Sequence, residues 1–302
     1  MEIMDLVRRD EAALLASVRN PIPPRAGTDL FKQFIVNRLK ELEDERRDGK
    51  VLRGNEAGGG GGGGGGFDEM KRQLVRNSEM YAKRAVRARE DAARVGVTAR
   101  VVGRGNAVVT FGGSRAVLAL LRLAAREEKG RRGKVTFRVV HIHDTAGRNG
   151  SFSDGSLAFA AGLKAEGVEV QEENLGAAEY VLFQKSPKRR VDLVLVGAQA
   201  VNHAGGVYAR MGTASVVRIA KSCEVPCYVV AETHKFVRVR KLPLGNGEED
   251  FGFNQERPNF GEGDDRVDYT VGVFPSIFIR SPFLIPPSPP PSHSYSRSPC
   301  RI

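Results

Sequence analysis

The sequence contains no tryptophan and only three cysteines among its 302 residues. Cys223, Cys227 and Cys300 form neither a CxxC pair nor an even set, which argues against a disulfide framework and fits a reducing compartment. No run of 18 apolar residues is present and no signal-peptide pattern follows Met1, so we expect neither a membrane span nor secretion. These absences favour a cytosolic globular protein.

Acidic residues are in the minority. The chain carries 47 Lys and Arg against 36 Asp and Glu, a formal net charge of +11. Such a balance can indicate a nucleic-acid or acidic-protein partner, but no aromatic RNA-binding motif, zinc-finger spacing or recognition-helix pattern accompanies it. We therefore expect a solvated, Arg-rich surface with no direct nucleic-acid contact. A basic RNA-binding protein on an α/β scaffold remains an alternative.

Composition divides the chain into five segments. The second is an unbroken glycine run, which is not a phosphate-binding loop because Phe67-Asp68 follows where such a loop needs Lys-Ser or Lys-Thr. Thr28 is the expected N-cap of a helix over residues 29–44, and a long amphipathic helix is expected over residues 67–95. The expected segments are an N-terminal helical segment (1–57), a flexible glycine linker (58–66), a long helix completing the helical domain (67–105), an α/β domain (106–244) and a disordered tail that is acidic and Gly-rich, then Pro/Ser-rich (245–302).

From residue 106 onward, short apolar runs alternate with amphipathic segments. This alternation predicts an α/β fold: a Rossmann-like, mainly parallel sheet with helices on both faces. The predicted strands cover residues 107–111, 135–142, 168–171, 192–198 and 226–231. The predicted helices cover residues 114–128, 155–166, 175–184 and 213–222.

Ligands of such sheets bind where the parallel strands end. The turn TFGGSR after the first strand supplies Gly112 and Gly113 for close backbone approach, and Ser114 as a helix cap with Arg115 beside it. A long loop follows the strand that begins at Asp192, and it contains no acidic residue. That loop contributes Gln199 and Arg210, and its Gly212-Thr213 pair predicts another helix start.

The stretch HIHD places two histidines on one face of a predicted strand. His141 and His143 could serve as metal ligands only with a third ligand, and the sequence shows none at a defined position. We therefore expect no metal and no cofactor.

Five stretches resemble one known family in the same order along the chain. They are GTDLFKQFIVNRL (27–39), VVTFGGSRAVLALL (108–121), VDLVLVGAQAV (191–201), the segment 205–238 with its YVVAETHKF run, and VDYT (267–270). They are similar to the alpha-subunit family of eukaryotic translation initiation factor 2B. The beta and delta subunits and two sugar-phosphate isomerases, acting on methylthioribose-1-phosphate and ribose-1,5-bisphosphate, belong to the same superfamily.

The resemblance implies that the isomerase chemistry is absent. The isomerases carry a catalytic Cys and a catalytic Asp where this chain has Gly112 and Gln199, and an amide cannot exchange protons near neutral pH. An anion pocket for a phosphorylated sugar remains an expectation. It would be formed by Gly112, Gly113, Ser114, Arg115, Gln199, Arg210, Gly212 and Thr213.

The resemblance further implies a regulatory, non-catalytic subunit of the guanine-nucleotide exchange factor for initiation factor 2. The expected partners are the beta, delta, gamma and epsilon subunits, the phosphorylated alpha subunit of initiation factor 2, and a second copy of the chain. A sugar-phosphate aldose–ketose isomerase is the alternative. The family has more helical sequence before residue 27 and does not match beyond Thr270, so phosphorylation sensing and tight dimerisation are expected to be weakened.

Overall fold

The computed structural model of the protein describes residues 2–18, 22–47, 65–146, 151–184, 186, 190–202, 205–237, 267–270 and 278–279. Within these residues, no helix is long and apolar enough to cross a membrane. No group of three or more His, Cys, Asp or Glu side chains in the same ranges is arranged to hold a metal ion.

Three helices precede the sheet: α1 (Glu2–Ser17), α2 (Ile22–Arg47) and α3 (Gly65–Thr98). The prediction that Thr28 caps a helix is wrong, because α2 already begins at Ile22. Pro23 and Pro24 occupy its first turn, where a missing backbone N–H is tolerated. The Thr28 hydroxyl lies inside α2 and donates to Glu11 Oε1 of α1 at 2.8 Å. A polar contact between α1 and α2 thus replaces the predicted cap.

The glycine linker is shorter than predicted at its C-terminal end. Gly65 and Gly66 form the first residues of α3, while residues 58–64 lie outside the described residues. At its other end, α3 stops at Thr98 and Arg100 adopts a left-handed conformation with φ 53°. The chain from residue 99 to the first strand is therefore a loop, not part of the helix.

The main sheet has six parallel strands in the order β12–β9–β6–β1–β2–β5. The strands β1, β2 and β6 at its centre are rich in buried β-branched residues, as expected of parallel strands that are covered on both faces, whereas the edge strand β5 is mostly exposed. The predicted strands are found within a few residues of their expected ends. The observed bounds are β1 Ala107–Phe111, β2 Arg138–His143, β5 Glu169–Asn174, β6 Leu193–Gly197, β9 Cys227–Val230 and β12 Phe278–Ile279.

Helices cover both faces of this sheet, which confirms the predicted fold class. One hydrophobic core packs α3, α4 (Arg115–Arg132) and α5 (Asp154–Ala165) on one face. A second core packs α6 (Ala178–Leu182) and α7 (Thr213–Ser222) on the other. The helix predicted over 175–184 is a 3-10 turn, Leu175–Ala177, followed by the short α6.

The loop predicted after β6 contains a hairpin instead. Strands β7 (Ala200–Asn202) and β8 (Val207–Arg210) pair antiparallel. The Asn202 side chain accepts a hydrogen bond from the Gly206 N–H at 2.8 Å and so closes the turn. The hairpin belongs to a second sheet, in the order β10–β7–β8–β11, with β10 at Phe236–Val237 and β11 at Val267–Thr270. A short hairpin of β3 (Thr145–Ala146) and β4 (Ser151–Phe152) follows β2.

Part of the segment predicted to be disordered is strand. In the second sheet β11 (Val267–Thr270) pairs antiparallel with β8, and Tyr269 lies opposite Tyr208. In the main sheet β12 pairs parallel with β9. Both short segments contain β-branched and aromatic residues, which are common in strands. The other residues of the predicted tail lie outside the described residues.

Candidate functional site

The turn after β1 is built as the sequence predicts. Gly112 has φ +65°, a conformation that favours glycine, and its N–H donates to the Ile142 carbonyl at 3.0 Å. Ser114 then caps α4: its backbone is extended, and its hydroxyl accepts a hydrogen bond from the Val117 N–H at 3.4 Å. The end of β1 is thus fixed against β2, and the first turn of α4 points at the same edge of the sheet.

Gly113 brings the starts of two helices into contact. A Cβ built on Gly113 would lie 2.4 Å from the carbonyl carbon of Gly155, which lies in the first turn of α5. Only glycine fits at such a separation. The N-termini of α4 and α5, both partially positive from their aligned peptide dipoles, therefore lie side by side where β1 and β2 end.

Asp144 occupies this junction, and sequence analysis did not assign it. Its carboxylate is 3% exposed; Oδ1 accepts a hydrogen bond from the Ser153 hydroxyl at 2.7 Å, and Ser153 caps α5. Oδ2 lies 3.2 Å from Arg210 Nη1 but accepts no hydrogen bond from the described residues. A Cβ on Gly112 would lie 3.5 Å from Asp144 Cγ. In the sequence, the one feature that could have indicated Asp144 was its position directly after β2, at the carboxyl end of a parallel strand.

Two of the predicted pocket residues, Gly112 and Arg210, lie against Asp144. Arg210 ends β8, and the Thr213 hydroxyl donates to the Arg210 carbonyl at 2.6 Å as α7 begins. Gly212 has φ +102°, and a Cβ there would lie 2.6 Å from the Phe111 ring. Two predicted pocket residues are used differently: the Gln199 N–H donates to the Tyr208 carbonyl within the hairpin, and Arg115 is exposed.

The charge of Asp144 affects the electrostatics of the predicted pocket. The pocket was predicted to attract an anion through helix N-termini and Arg210, and the chain supplies an anion of its own. Asp144 lies at the start of α5, close to that of α4, and neutralises part of the Arg210 charge. An external phosphate must therefore compete with a buried carboxylate.

A second polar feature runs through the core beneath this edge. Hydrogen-bond contacts join Thr110 to His141 (3.0 Å), His141 to Ser156 (2.8 Å), Ser156 to His143 (3.0 Å) and His143 to Glu172 (2.7 Å). Both imidazoles and the Ser156 side chain are buried. The predicted pair on one strand face is therefore a hydrogen-bonded chain across β1, β2, β5 and α5.

The direction of these hydrogen bonds follows from the carboxylate at one end. Hydrogen bonds from Lys164 and His143 hold the pKa of Glu172 below its usual value, so Glu172 only accepts. His143 Nε2 then donates to Glu172; with its other ring nitrogen, Nδ1, as the acceptor, Ser156 donates to His143 and accepts from His141 Nε2. Burial lowers the pKa of His141 to about 4, which keeps its ring neutral. Every donor thus points from Thr110 towards Glu172.

Glu232, at the end of β9, is another buried acid that sequence analysis passed over. Its side chain contacts Lys235 Nζ at 2.6 Å and Arg89 Nε of α3 at 3.5 Å. Burial raises the pKa of Glu232, but the charge and hydrogen bond of Lys235 outweigh it and hold the pKa below its usual value. The ion pair with Arg89 connects α3 to the end of β9. In the sequence, the run AETHKF was the feature that could have indicated Glu232.

A cleft of about 270 Å³ opens away from the predicted pocket. It lies over β2 and β5 beside α6, and its lining includes Arg138, Glu169, Gln171 and Tyr180. At the pocket itself Gly112 and Asp144 are buried. Asp144 and Arg210 are in contact at this place.

Comparison with known proteins relates this chain to subunits of translation initiation factors. The model of the Initiation factor 2 subunit family matches residues 63–250. The translation initiation factor eIF2B subunit alpha of Caenorhabditis elegans is 34% identical over 142 residues, which cover 46% of this chain and 44% of that protein. An eIF-2B subunit 2-like protein of Pyrococcus furiosus is 30% identical over 213 residues, covering 69% and 66%. The chain thus spans less than half the length of the first relative and about two thirds of the length of the second.

Solved structures show the same architecture. The tetrameric eIF2B beta2–delta2 complex from C. thermophilum matches with a TM-score of 0.54 at 25% identity, over 71% of this chain and 62% of that chain. The Pyrococcus horikoshii OT3 translation initiation factor eIF-2B matches with a TM-score of 0.52 at 20% identity, over 71% and 68%. The second likeness concerns the fold alone.

Proposed function

Because the chain belongs to the initiation factor 2 subunit family, we propose that it acts as a regulatory, non-catalytic subunit of eIF2B, the guanine-nucleotide exchange factor for initiation factor 2. Its role would be to bind other subunits and to help the complex respond to phosphorylation of its substrate factor. The exchange reaction itself would belong to the epsilon subunit. The protein would act in the cytosol.

One observation carries the non-catalytic part of the proposal. Gly112 follows β1 and Gln199 precedes the hairpin, at the two places where the related isomerases carry a thiol and a carboxyl group. General acid–base catalysis needs a group that can both take up and release a proton. Asp144 is the nearby carboxyl group, but it is 3% exposed and engaged by Ser153 and Arg210. A substrate proton would not reach it in this arrangement.

The pocket would serve binding, not turnover. Gly112, Ser114, Arg210 and Thr213 offer backbone N–H groups, a cation and two helix starts to a phosphorylated sugar. Asp144 competes for the same positive potential. We therefore propose weak binding of such a ligand, accompanied by separation of Asp144 and Arg210.

The partners are proposed on the same basis. The beta and delta subunits resemble this chain in fold, and the C. thermophilum structure is a complex of those two subunits. A second copy of this chain, the gamma and epsilon subunits, and the phosphorylated alpha subunit of initiation factor 2 complete the proposed set. Since the chain spans only part of its relatives' length, each of these contacts needs its own measurement.

An isomerase assay tests the non-catalytic part. The purified chain is incubated with ribose-1,5-bisphosphate and, separately, with methylthioribose-1-phosphate, and ketose formation is followed. We expect none above background, and enzyme-dependent turnover of either substrate would favour the isomerase alternative. The double variant Gly112→Cys, Gln199→Asp restores both reactive groups and serves as a companion measurement.

A reconstitution assay tests the regulatory part. The chain is added to the other four eIF2B subunits, and nucleotide release from initiation factor 2 is measured with and without phosphorylation of its alpha subunit. We expect the chain to co-purify with the complex and to increase inhibition by the phosphorylated factor. A complex that excludes the chain, or inhibition that does not change on its addition, would contradict the proposal.

A further inference from the structure

At the amino-terminal edge of the main sheet, opposite the predicted pocket, the loops that lead into β1 and β2 are rich in cations. The loop after α3 leads into β1 there, and the last turn of α4 and the loop after it lead into β2. The exposed cations in this region form what we call the basic edge: Arg100, Arg104, Lys129, Arg132 and Lys134. Arg131 is exposed beside them and pairs with Glu127 at 2.9 Å.

Hydrogen bonds hold the two loops of the basic edge together. The Gly105 N–H donates to Thr136 Oγ1 at 3.2 Å, and the Thr136 N–H donates to Glu128 at 2.9 Å. The Arg138 N–H donates to the Asn106 carbonyl at 2.9 Å. The cations therefore lie on one surface with a fixed backbone.

Most of this charge is not neutralised within the protein. Among the described residues, no ion pair involves Arg100, Arg104, Lys129, Arg132 or Lys134. Burial raises the pKa of Glu128, but hydrogen bonds from Thr136 and Phe137 and the charge of Arg132 outweigh it and hold the pKa below its usual value, so Glu128 offsets part of the Arg132 charge. The partial negative charge at the end of α4 offsets only about half of one elementary charge. The edge therefore keeps a large positive potential.

The basic edge also lacks apolar anchors. None of the large exposed hydrophobic side chains lies in its loops or in the last turn of α4, among the residues described there. The exposed face of α3 differs, because Val75, Met80 and Val86 stand among its cations. Protein interfaces bury an apolar centre, whereas nucleic-acid interfaces are polar and strongly positive. Charge without apolar anchors therefore suits a phosphate backbone better than an acidic protein.

We propose that the basic edge binds the phosphodiester backbone of a nucleic acid. No aromatic side chain is exposed beside these cations in the described residues, so binding would not depend on base stacking or on sequence. The site lies at the opposite end of the strands from the predicted pocket, five residues or roughly 17 Å away. It is independent of the proposed regulatory function, and it revises the expectation of no nucleic-acid contact.

The test compares two variants that lose equal charge. The edge variant carries Arg104→Gln, Lys129→Gln, Arg132→Gln and Lys134→Gln, and the control carries Lys83→Gln, Arg84→Gln, Arg87→Gln and Arg218→Gln, all exposed. Fluorescence anisotropy of labelled short RNA and DNA, single-stranded and duplex, is measured from about 50 to 300 mM KCl, where counterion release makes log K linear in log[salt]. Unchanged thermal midpoints would establish that both variants fold.

We expect the wild-type chain to bind, and the edge variant to bind on the order of tenfold more weakly or worse. Its salt slope for duplex DNA should be shallower by up to about 3.6, because each of four lost phosphate contacts contributes about 0.9. The control should retain most of the affinity and slope. No binding by the wild type at the lowest salt would overturn the proposal, as would equal losses in both variants, since the latter result would mean that only net charge matters.

Two further measurements use the unmodified chain. Bound RNA should protect Lys129 and Lys134 from amine acetylation but leave the exposed Lys83 and Lys221 reactive. Polyglutamate should compete poorly with RNA at equal charge concentration. Protection of all four lysines alike would contradict a defined site. Stronger binding of polyglutamate would assign the basic edge to an acidic protein.

Discussion

Arg210 Nη1 lies 3.2 Å from Asp144 Oδ2, although 65 residues separate the two in sequence. The contact joins the end of β8, in the second sheet, to the end of β2, in the main sheet. It lies beside the glycine turn that follows β1 and beside the starts of α4 and α5. A phosphorylated ligand in the proposed pocket would compete with Asp144 for Arg210.

Replacing Asp144 by asparagine should therefore strengthen phosphate binding. The amide keeps an acceptor for Ser153 but removes the negative charge that competes for Arg210. At a separation of about 4 Å near a protein surface one charge contributes up to about 4 kcal/mol, so we expect on the order of tenfold to hundredfold tighter binding of ribose-1,5-bisphosphate by calorimetry. Asp154→Asn, an exposed acid in the first turn of α5, is the control. Equal affinities for wild type and Asp144→Asn would mean that the carboxylate does not compete with phosphate for Arg210.

Ser156→Ala should destabilise the protein. The change removes the hydroxyl that joins His141 and His143, leaving buried ring nitrogens without a partner at a cost of about 2–4 kcal/mol. Urea unfolding followed by circular dichroism measures this cost. Ser222→Ala, whose exposed hydroxyl donates to the Ile219 carbonyl, should change stability by less than about 0.5 kcal/mol. Similar values for both variants would show that the chain of hydrogen bonds contributes little.

His141 should make stability depend on pH in a defined direction. Burial lowers its pKa from an ordinary value of 6.5 to about 4, so the unfolded chain binds the proton first as pH falls. The contribution is complete above the unfolded pKa and is lost between pH 6.5 and 4, at about 1.4 kcal/mol per unit and about 3 kcal/mol in all. The pKa of His234 is also lowered by burial and acts in the same direction.

Two measurements separate the two histidines. Nitrogen-15 NMR of the native protein should show the His141 ring still neutral at about pH 5.5. His141→Asn should flatten the pH dependence of unfolding above pH 5 while leaving the part due to His234. A His141 ring that titrates near 6.5 would contradict the assignment.

A pair of glycine substitutions in the α4 region should have opposite effects. Gly113→Ala places a methyl group 2.4 Å from the backbone of Gly155, so α4 and α5 must separate; we expect a loss of about 1–3 kcal/mol. Gly130 lies inside α4, and a Cβ there would meet nothing within 4 Å. Gly130→Ala should therefore raise the free energy of unfolding by about 0.5–1 kcal/mol. Thermal unfolding measures both, and a Gly113→Ala protein as stable as wild type would show that the close approach is easily relaxed.

Removing residues after 244 should expose sheet edges. The truncated chain loses β11 from β8 and β12 from β9, and unpaired edges favour association with other chains. We expect lower stability and concentration-dependent aggregates by sedimentation velocity. A chain ending at residue 285 keeps both strands and serves as the control. If the two truncations behave alike, β11 and β12 do not protect the sheets.

Much of the main sheet could be predicted because β1, β6 and β9 are short apolar runs and the helices between the strands have local start signals. Ser114 and Thr213 indicated helix starts correctly, since these signals are local. The β7–β8 hairpin was missed because its turn depends on the Asn202 side chain closing onto Gly206, and the Gly205-Gly206 pair was assigned to a longer loop.

Asp144 was missed for a different reason. Its role depends on Arg210 and Ser153, and on a glycine turn from another strand, so it exists only once β1, β2 and β8 end at one place. The same holds for Glu232, whose partner Arg89 lies 143 residues earlier in the chain. Contacts between residues distant in sequence carry no periodicity, and hydrophobic patterning cannot reveal them.

The hydrogen-bonded chain from Thr110 to Glu172 behaves as a single unit with a polarity. If His143 takes up a second proton, both of its nitrogens donate and Ser156 must accept from it. Ser156 keeps a partner for its own proton only by donating to His141 Nε2, which moves the His141 proton to Nδ1 and makes Thr110 the acceptor. One proton entering beside Glu172 thus reverses the three hydrogen bonds between His143 and Thr110, while His143 Nε2 goes on donating to Glu172, so that the hydrogens on Ser156, His141 and Thr110 change position together.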